Sequence, residues 1–138
     1  MKKRILVVED NKLNLELVTD LLEVAGFIVC PANTAEEALS AARELSPDLV
    51  LMDLSLPGLD GLAATRALRA DPATHHLTII ALTAHAMMGD EALALGAGCD
   101  GYLTKPIDTR TFTANVTAFI ATANSLLTES HATSQYAN

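Results

Sequence analysis

Ile5-Leu6-Val7-Val8-Glu9-Asp10-Asn11 is the stretch on which the fold turns. Four apolar residues run without a break and stop at two carboxylates. A strand with one wet face alternates apolar and polar residues, whereas an unbroken run marks a strand covered on both faces, as in a parallel sheet. From Asn14, apolar residues recur at Leu15, Val18, Leu21, Leu22 and Ala25. That is helical spacing, stopped at Gly26.

The same unit repeats outward along the chain. Residues 27–30 read as a second strand. Thr34 with Glu37 makes a capping box, followed by Ala38, Leu39, Ala42 and Leu45 as an apolar stripe that Pro47 ends. Residues 49–52 form a third strand, broken by Leu56-Pro57-Gly58. Leu62, Thr65, Ala67 and Leu68 lie in a third helix that stops near Asp71-Pro72. Residues 77–82 are a fourth strand, and residues 86–95 a helix ending at Gly96. Tyr102-Leu103 is a short fifth strand before Lys105-Pro106, and Phe112, Val116, Phe119 and Ile120 mark a fifth helix. Strict alternation of this kind implies an α/β fold, a parallel sheet with right-handed crossovers. One domain over residues 1–123 is expected, with residues 124–138 a polar, disordered tail.

Composition narrows the function. The chain has 138 residues, half of them hydrophobic but only 4% aromatic, and a formal charge of -8. Such an acidic surface repels phosphates, so nucleic acid and anionic membranes are not expected partners. No apolar run reaches the ~18 residues of a membrane span. The apolar stretch after Met1-Lys2-Lys3-Arg4 is too short for a signal peptide, so the cytoplasm is the expected compartment. Cys30 and Cys99 lack metal or redox spacing and read as small hydrophobes, Cys99 beneath the fifth strand.

Chemistry gathers where the strands end. Glu9 and Asp10 follow the first strand, Asp53 the third, Thr83 the fourth, and Lys105 with Pro106 the fifth. In an open parallel sheet these carboxyl ends share one edge, where ligands bind. Three clustered carboxylates repel one another unless a cation sits among them. Mg²⁺ suits such oxygen ligands and retains several waters; Glu9, longer than Asp10, would act through one. An ion pair from Lys105 would hold Asp53 ionised. A carboxylate so placed can attack phosphorus to give an aspartyl-phosphate. Phosphoryl transfer needs mainly positioning and charge neutralisation, and a Thr83 hydroxyl can donate to a phosphoryl oxygen. Singly, Asp10 could equally be a helix N-cap, Thr83 a turn hydroxyl and Lys105 a solvated charge. Together at the strand ends they specify a site.

The motifs Val8-Glu9-Asp10-Asn11, Leu51-Met52-Asp53-Leu54, Leu56-Pro57-Gly58-Leu59-Asp60-Gly61, Leu82-Thr83-Ala84 and Tyr102-Leu103-Thr104-Lys105-Pro106-Ile107 resemble the receiver domains of two-component response regulators, over residues 3–122. The resemblance implies a flavodoxin-like (βα)5 fold with strand order 2-1-3-4-5. It implies that Asp53 accepts phosphoryl from a phosphohistidine of a histidine kinase or histidine phosphotransfer protein. Mg²⁺ would be held by Glu9, Asp10, Asp53 and the backbone carbonyl of Ser55. Thr83, the backbone of Ala84 and Lys105 would bind the phosphoryl group. Tyr102 would turn inward as Thr83 is drawn to the phosphate, and the Lys105–Pro106 bond would be cis. More narrowly, Val8 to Asn14 and Thr83 to Glu91 resemble DivK-type cell-division regulators and the receivers of hybrid kinases. His85 and Met88 depart from the DivK pattern. His85 either tunes phosphoryl lifetime or partner choice, or is an exposed loop residue.

The residues after the fifth helix hold no helix-turn-helix pattern and no basic cluster. Output is therefore expected through protein contact, not a separate enzyme. The expected surface is that of the fourth helix, fifth strand and fifth helix, around Met87, Met88 and Tyr102, although Met87 or Met88 could simply pack inside. His75-His76 reads as a solvated loop and not a metal pair, and His131 has no assigned role. A haloacid-dehalogenase-type phosphatase would want a second Asp after a first-strand nucleophile, which Asp53-Leu54-Ser55 lacks. A flavin-binding protein would be opposed by Glu9-Asp10 against the FMN phosphate.

Overall fold

The computed structural model describes residues 2–54, 61–83 and 90–133. In chain order the elements are β1 (Arg4–Val8), α1 (Lys12–Val24), β2 (Ile28–Ala32), α2 (Ala35–Leu45), β3 (Leu49–Asp53), α3 (Gly61–Ala70), β4 (Ile79–Thr83), α4 (Asp90–Ala97), β5 (Gly101–Thr104) and α5 (Phe112–Thr133). The strands form one parallel sheet in the order β2-β1-β3-β4-β5. This is the flavodoxin-like architecture.

Both faces of the sheet are covered, which explains the unbroken apolar runs. Alternate residues of β1, β3 and β4 feed two cores. Leu6, Val8, Val50, Met52, Ile79 and Ala81 pack with alanines of α2, α3 and α4. Ile5, Val7, Leu49, Leu51, Ile80 and Leu82 pack with Val18, Leu22, Phe112, Val116 and Ile120 of α1 and α5. Small alanines let α2 lie close to the sheet, so few aromatics are needed to fill the interior.

Element boundaries moved where local hydrogen bonds decide. Helix α1 begins at Lys12, before Asn14, because the Asn11 side chain caps it and accepts from the Asn14 N–H at 3.0 Å. Strand β2 begins after Phe27, whose N–H instead closes α1 on the Leu22 carbonyl. Strand β4 begins after Leu77, whose N–H bonds the Thr74 carbonyl and whose own carbonyl accepts from Arg69 at 2.5 Å. The Thr34 hydroxyl caps α2 by accepting from the Glu37 N–H, while the Glu37 carboxylate reaches back to the Asn33 N–H at 2.7 Å. Helix α4 runs through Gly96 and stops at Gly98, where φ is 117°. There the Gly98 N–H bonds Leu95 and the Cys99 N–H bonds Ala94, closing the helix in a turn that glycine enters without steric cost. Helix α5 continues to Thr133, past the point where a polar tail was expected. Alanine and leucine recur there, and propagating a helix is easier than starting one. The expected helix start at Ala86, the turn at Leu56-Pro57-Gly58, Met87, Met88 and residues 134–138 lie outside the described residues.

Candidate functional site

Strand β1 has β2 on one side and β3 on the other, so the connections diverge between β1 and β3. That divergence leaves a crevice at the carboxyl ends of these two strands. The register pairs Val8 with Met52 and Asp53 with Leu82, and Thr83 with Thr104. Glu9 and Asp10 therefore emerge beside Asp53, and Lys105 emerges beside Thr83. The Lys105 N–H bonds the Thr83 carbonyl at 2.8 Å, and the Glu9 N–H bonds the Ala32 carbonyl at 3.0 Å.

The side chains converge. Lys105 Nζ lies 2.9 Å from Asp53 Oδ2 and 3.2 Å from Glu9 Oε2. One carboxylate oxygen from each of Glu9, Asp10 and Asp53 falls within 4.8 Å of the others. Glu9 and Asp53 are buried, with 0% and 1% exposure, while Asp10 faces solvent. Thr83 is buried at the end of β4. The Lys105–Pro106 bond is cis. Ser55, Ala84 and His85 lie outside the described residues.

Burial, and a hydrogen bond shared with Asp53, push the Glu9 carboxyl up to about 7; the Asn11 N–H and Lys105 oppose this. The Asn11 N–H donates to Glu9 Oε1 at 3.1 Å. Glu9 Oε2, by contrast, accepts no hydrogen bond from a described group. Lys105 Nζ stands 3.2 Å from it as an ion pair. For Lys105, burial lowers the ammonium's pKa, yet the two carboxylates outweigh burial and raise it overall. Among the described residues, the site thus sets the Lys105 ammonium against three carboxyl groups, with Glu9 Oε2 buried and without a hydrogen-bond donor. Such an oxygen takes up a proton or faces a cation. An all-oxygen donor set with one solvent-facing member suits a hard ion that keeps part of its water, which is the chemistry of Mg²⁺.

Tyr102 lies on the sheet face that packs against α2, α3 and α4, half-buried. It pairs with Ala81, so it sits two residues back from Thr83 on the same face. The Glu91 carboxylate of α4 lies close to the Tyr102 hydroxyl and raises its pKa. Sequence reasoning did not single out Glu91, because nothing local connects it to residue 102. Gly61 and the Asn11 amide stand inside the motifs at residues 56–61 and 8–11, but their contacts with Asp53 and Glu9 have no local sequence signal. Cys99 is buried 3.8 Å from the Thr65 hydroxyl, and neither cysteine is in a disulfide. His75 is exposed, its ring nitrogen 3.0 Å from the Pro72 carbonyl, and stacks edge-on against His76. No described helix is long and apolar enough to cross a membrane.

Comparison with known proteins agrees with this fold. The family model of the response regulator receiver domain matches residues 5–117. The chain is 41% identical over 123 residues to the polar-differentiation response regulator DivK of Brucella ovis, covering 89% of this chain and 100% of that protein. The receiver domain of a sensor histidine kinase from Pseudomonas aeruginosa, solved with magnesium in its active site cleft, superposes with a TM-score of 0.81 at 36% identity, covering 88% of this chain and 99% of that one. A CheY-like receiver domain protein from Methanospirillum hungatei superposes with a TM-score of 0.82 at 26% identity, covering 91% and 98%.

Proposed function

The chain belongs to the response regulator receiver domain family of two-component signalling, and on that premise we propose that Asp53 is its phosphoacceptor. The observation that carries this reading is the buried Asp53 carboxylate, ion-paired with Lys105 at 2.9 Å and grouped with Glu9 and Asp10. An Asp53 oxygen attacks the phosphorus of a phosphohistidine. The P–O bond forms as the P–N bond breaks, and the imidazole leaves with the electron pair and takes up a proton. Lys105 and the Thr83 hydroxyl then hold phosphoryl oxygens, with the backbone of Ala84 as a third donor. Glu9, Asp10, Asp53 and the Ser55 carbonyl would hold Mg²⁺, which supplies neutralisation of the oxygen charge during transfer.

The donor is a histidine kinase or a histidine phosphotransfer protein. The output is a change of protein partner, read on the face of α4, β5 and α5, where Leu93 and Leu95 stand exposed. Drawing Thr83 towards the phosphoryl group would free space on its own sheet face, into which Tyr102 turns, leaving Glu91. Residues 1–123 form the receiver unit, working in the cytoplasm, and identity with DivK favours control of cell division or polarity. A second reading, a receiver from a hybrid histidine kinase, is favoured by the 36% identity to one from a sensor kinase. His85 would tune either version.

The test incubates the protein with Mg²⁺ and acetyl phosphate or a phosphohistidine donor and weighs it by mass spectrometry. A phosphoryl adduct, acid-stable, alkali-labile and absent from Asp53→Asn, is expected. Wild-type protein that stays unmodified with every donor would sink the reading. A Tyr102 rotamer unchanged between free and beryllofluoride-bound protein would count against the coupling.

A further inference from the structure

We propose that Gly61 is a positioning residue for Asp53. Its missing side chain lets α3 seat against the Asp53–Leu54 peptide and so sets where the acceptor carboxylate stands. This inference rests on the phosphoacceptor reading of Asp53.

Gly61 is buried at the start of α3. A Cβ there would stand 2.3 Å from the Asp53 carbonyl oxygen, 2.7 Å from Leu54 Cα and 3.0 Å from the Asp53 carbonyl carbon. All three obstacles are backbone. The other described glycines differ. At Gly98 a Cβ would meet the Arg69 side chain, at Gly101 the Phe119 ring, and at Gly26 and Gly96 nothing within 4 Å. A side chain can swing aside by rotating about its own bonds; a peptide yields only by carrying its neighbours with it. The Gly61 backbone itself does not need glycine, since its φ is outside the left-handed range. Space alone excludes a side chain.

Two sets of bonds resist when a methyl is added. Helix α3 is pinned along its length. The Thr65 hydroxyl donates to the Gly61 carbonyl at 2.8 Å, and Ala64 and Leu68 are buried in the core. At its far end Arg69 donates to the carbonyls of Gly98, His75 and Leu77 and pairs with Asp100. Asp53 is the last residue of β3, and beyond it the Leu54 N–H still bonds the Leu82 carbonyl at 3.1 Å. With both sides held, a methyl at Gly61 forces a shift that the Asp53–Leu54 peptide must share. Ordinary contact begins near 3.4 Å, against 2.3 Å for the Asp53 oxygen, so the two must part by about 1 Å. Asp53 Oδ2 stands 2.9 Å from Lys105, within hydrogen-bond reach, and a shift of that size moves it out of line with both Lys105 and Glu9. Misplacement of a reacting group by about 1 Å costs about 100-fold in rate.

The experiment compares wild type, Gly61→Ala and Leu22→Ala. Leu22 is a core residue near the far end of α1 from the site, so its truncation destabilises the fold without touching the acceptor. Each variant is measured for Mg²⁺ affinity by calorimetry without phosphodonor, for melting temperature, and for phosphorylation rate at saturating Mg²⁺. Gly61→Ala is expected to weaken Mg²⁺ binding about 10-fold and slow phosphorylation about 100-fold. Leu22→Ala, melting at least as low, is expected to keep both within about 2-fold of wild type. Gly61→Ala with wild-type Mg²⁺ affinity and rate overturns the proposal, as does Leu22→Ala with equal losses. Should Gly61→Ala fail to fold, Thr65→Val serves instead: it loosens the same turn without adding bulk. A several-fold loss of Mg²⁺ affinity there supports the proposal, and an unchanged affinity overturns it. If wild type forms no adduct while Gly61→Ala still loses Mg²⁺, the acceptor reading fails and the positioning role stands.

Discussion

Glu9 shows what one residue does to a whole profile. Its carboxyl is pushed from 4.5 up to about 7, first by burial and then by the hydrogen bond shared with Asp53. Between those values the folded protein holds a proton that the unfolded chain has released. The stability this contributes is complete below about pH 4.5 and is lost as pH climbs through about 7. Metal-free protein is therefore expected to lose on the order of 2–3 kcal/mol from Glu9 between pH 5 and pH 7.5, read by urea denaturation. Glu9→Gln, which cannot ionise, is expected to flatten that slope. Mg²⁺ must displace the same proton, so its affinity is expected to rise with pH over this window in wild type and to be weaker and flatter in Glu9→Gln. A wild-type stability that climbs with pH there, without metal, would contradict the assignment.

At the scale of elements, α4 shows how two nearby glycines differ. Gly96 lies inside the helix, and a Cβ added there would meet nothing within 4 Å, whereas Gly98 has φ 117° and a Cβ there would meet Arg69 Cγ at 2.6 Å. Gly98→Ala is expected to cost about 1–3 kcal/mol, because the substitution strains the backbone and pushes against the guanidinium that ties α3 to this loop. Gly96→Ala is expected to add roughly 0.5–1 kcal/mol through helix propensity alone. Chemical denaturation of the pair measures both; equal effects of the same sign would remove Gly98 as the stop of α4. In sequence alone Gly96 marks the helix end, since a glycine after a periodic run is a fair C-terminal signal. Which of two nearby glycines takes the left-handed turn depends on where β5 must begin, and Asp100 shows this: its side chain accepts from the Ile79 N–H at the start of β4.

For the molecule as a whole, the site lies where the two halves of the sheet meet, so a bound cation ties several strand ends together. Mg²⁺ at 100 times its dissociation constant is expected to stabilise the fold by about 2.7 kcal/mol, raising the melting temperature by roughly 10 °C, and a chelator is expected to reverse this. No thermal shift with Mg²⁺ at pH 8 would tell against a metal centre at Glu9, Asp10 and Asp53. The strand and helix sequence was legible because each element is set by contacts a few residues apart: apolar runs, the Thr34 cap, the stop at Gly26. The strand-end residues were legible for the same reason, since a polar residue ending an apolar run marks its own position. What only the tertiary structure decided is who meets whom. Periodicity does not say that β1 lies beside β3, and that order is what brings Glu9 against Asp53 and raises its pKa. Nor does it say that Glu91 reaches Tyr102, or that Gly61 leaves room for the Asp53 carbonyl. These are contacts between residues distant in sequence, and their energies exist only once the sheet has assembled.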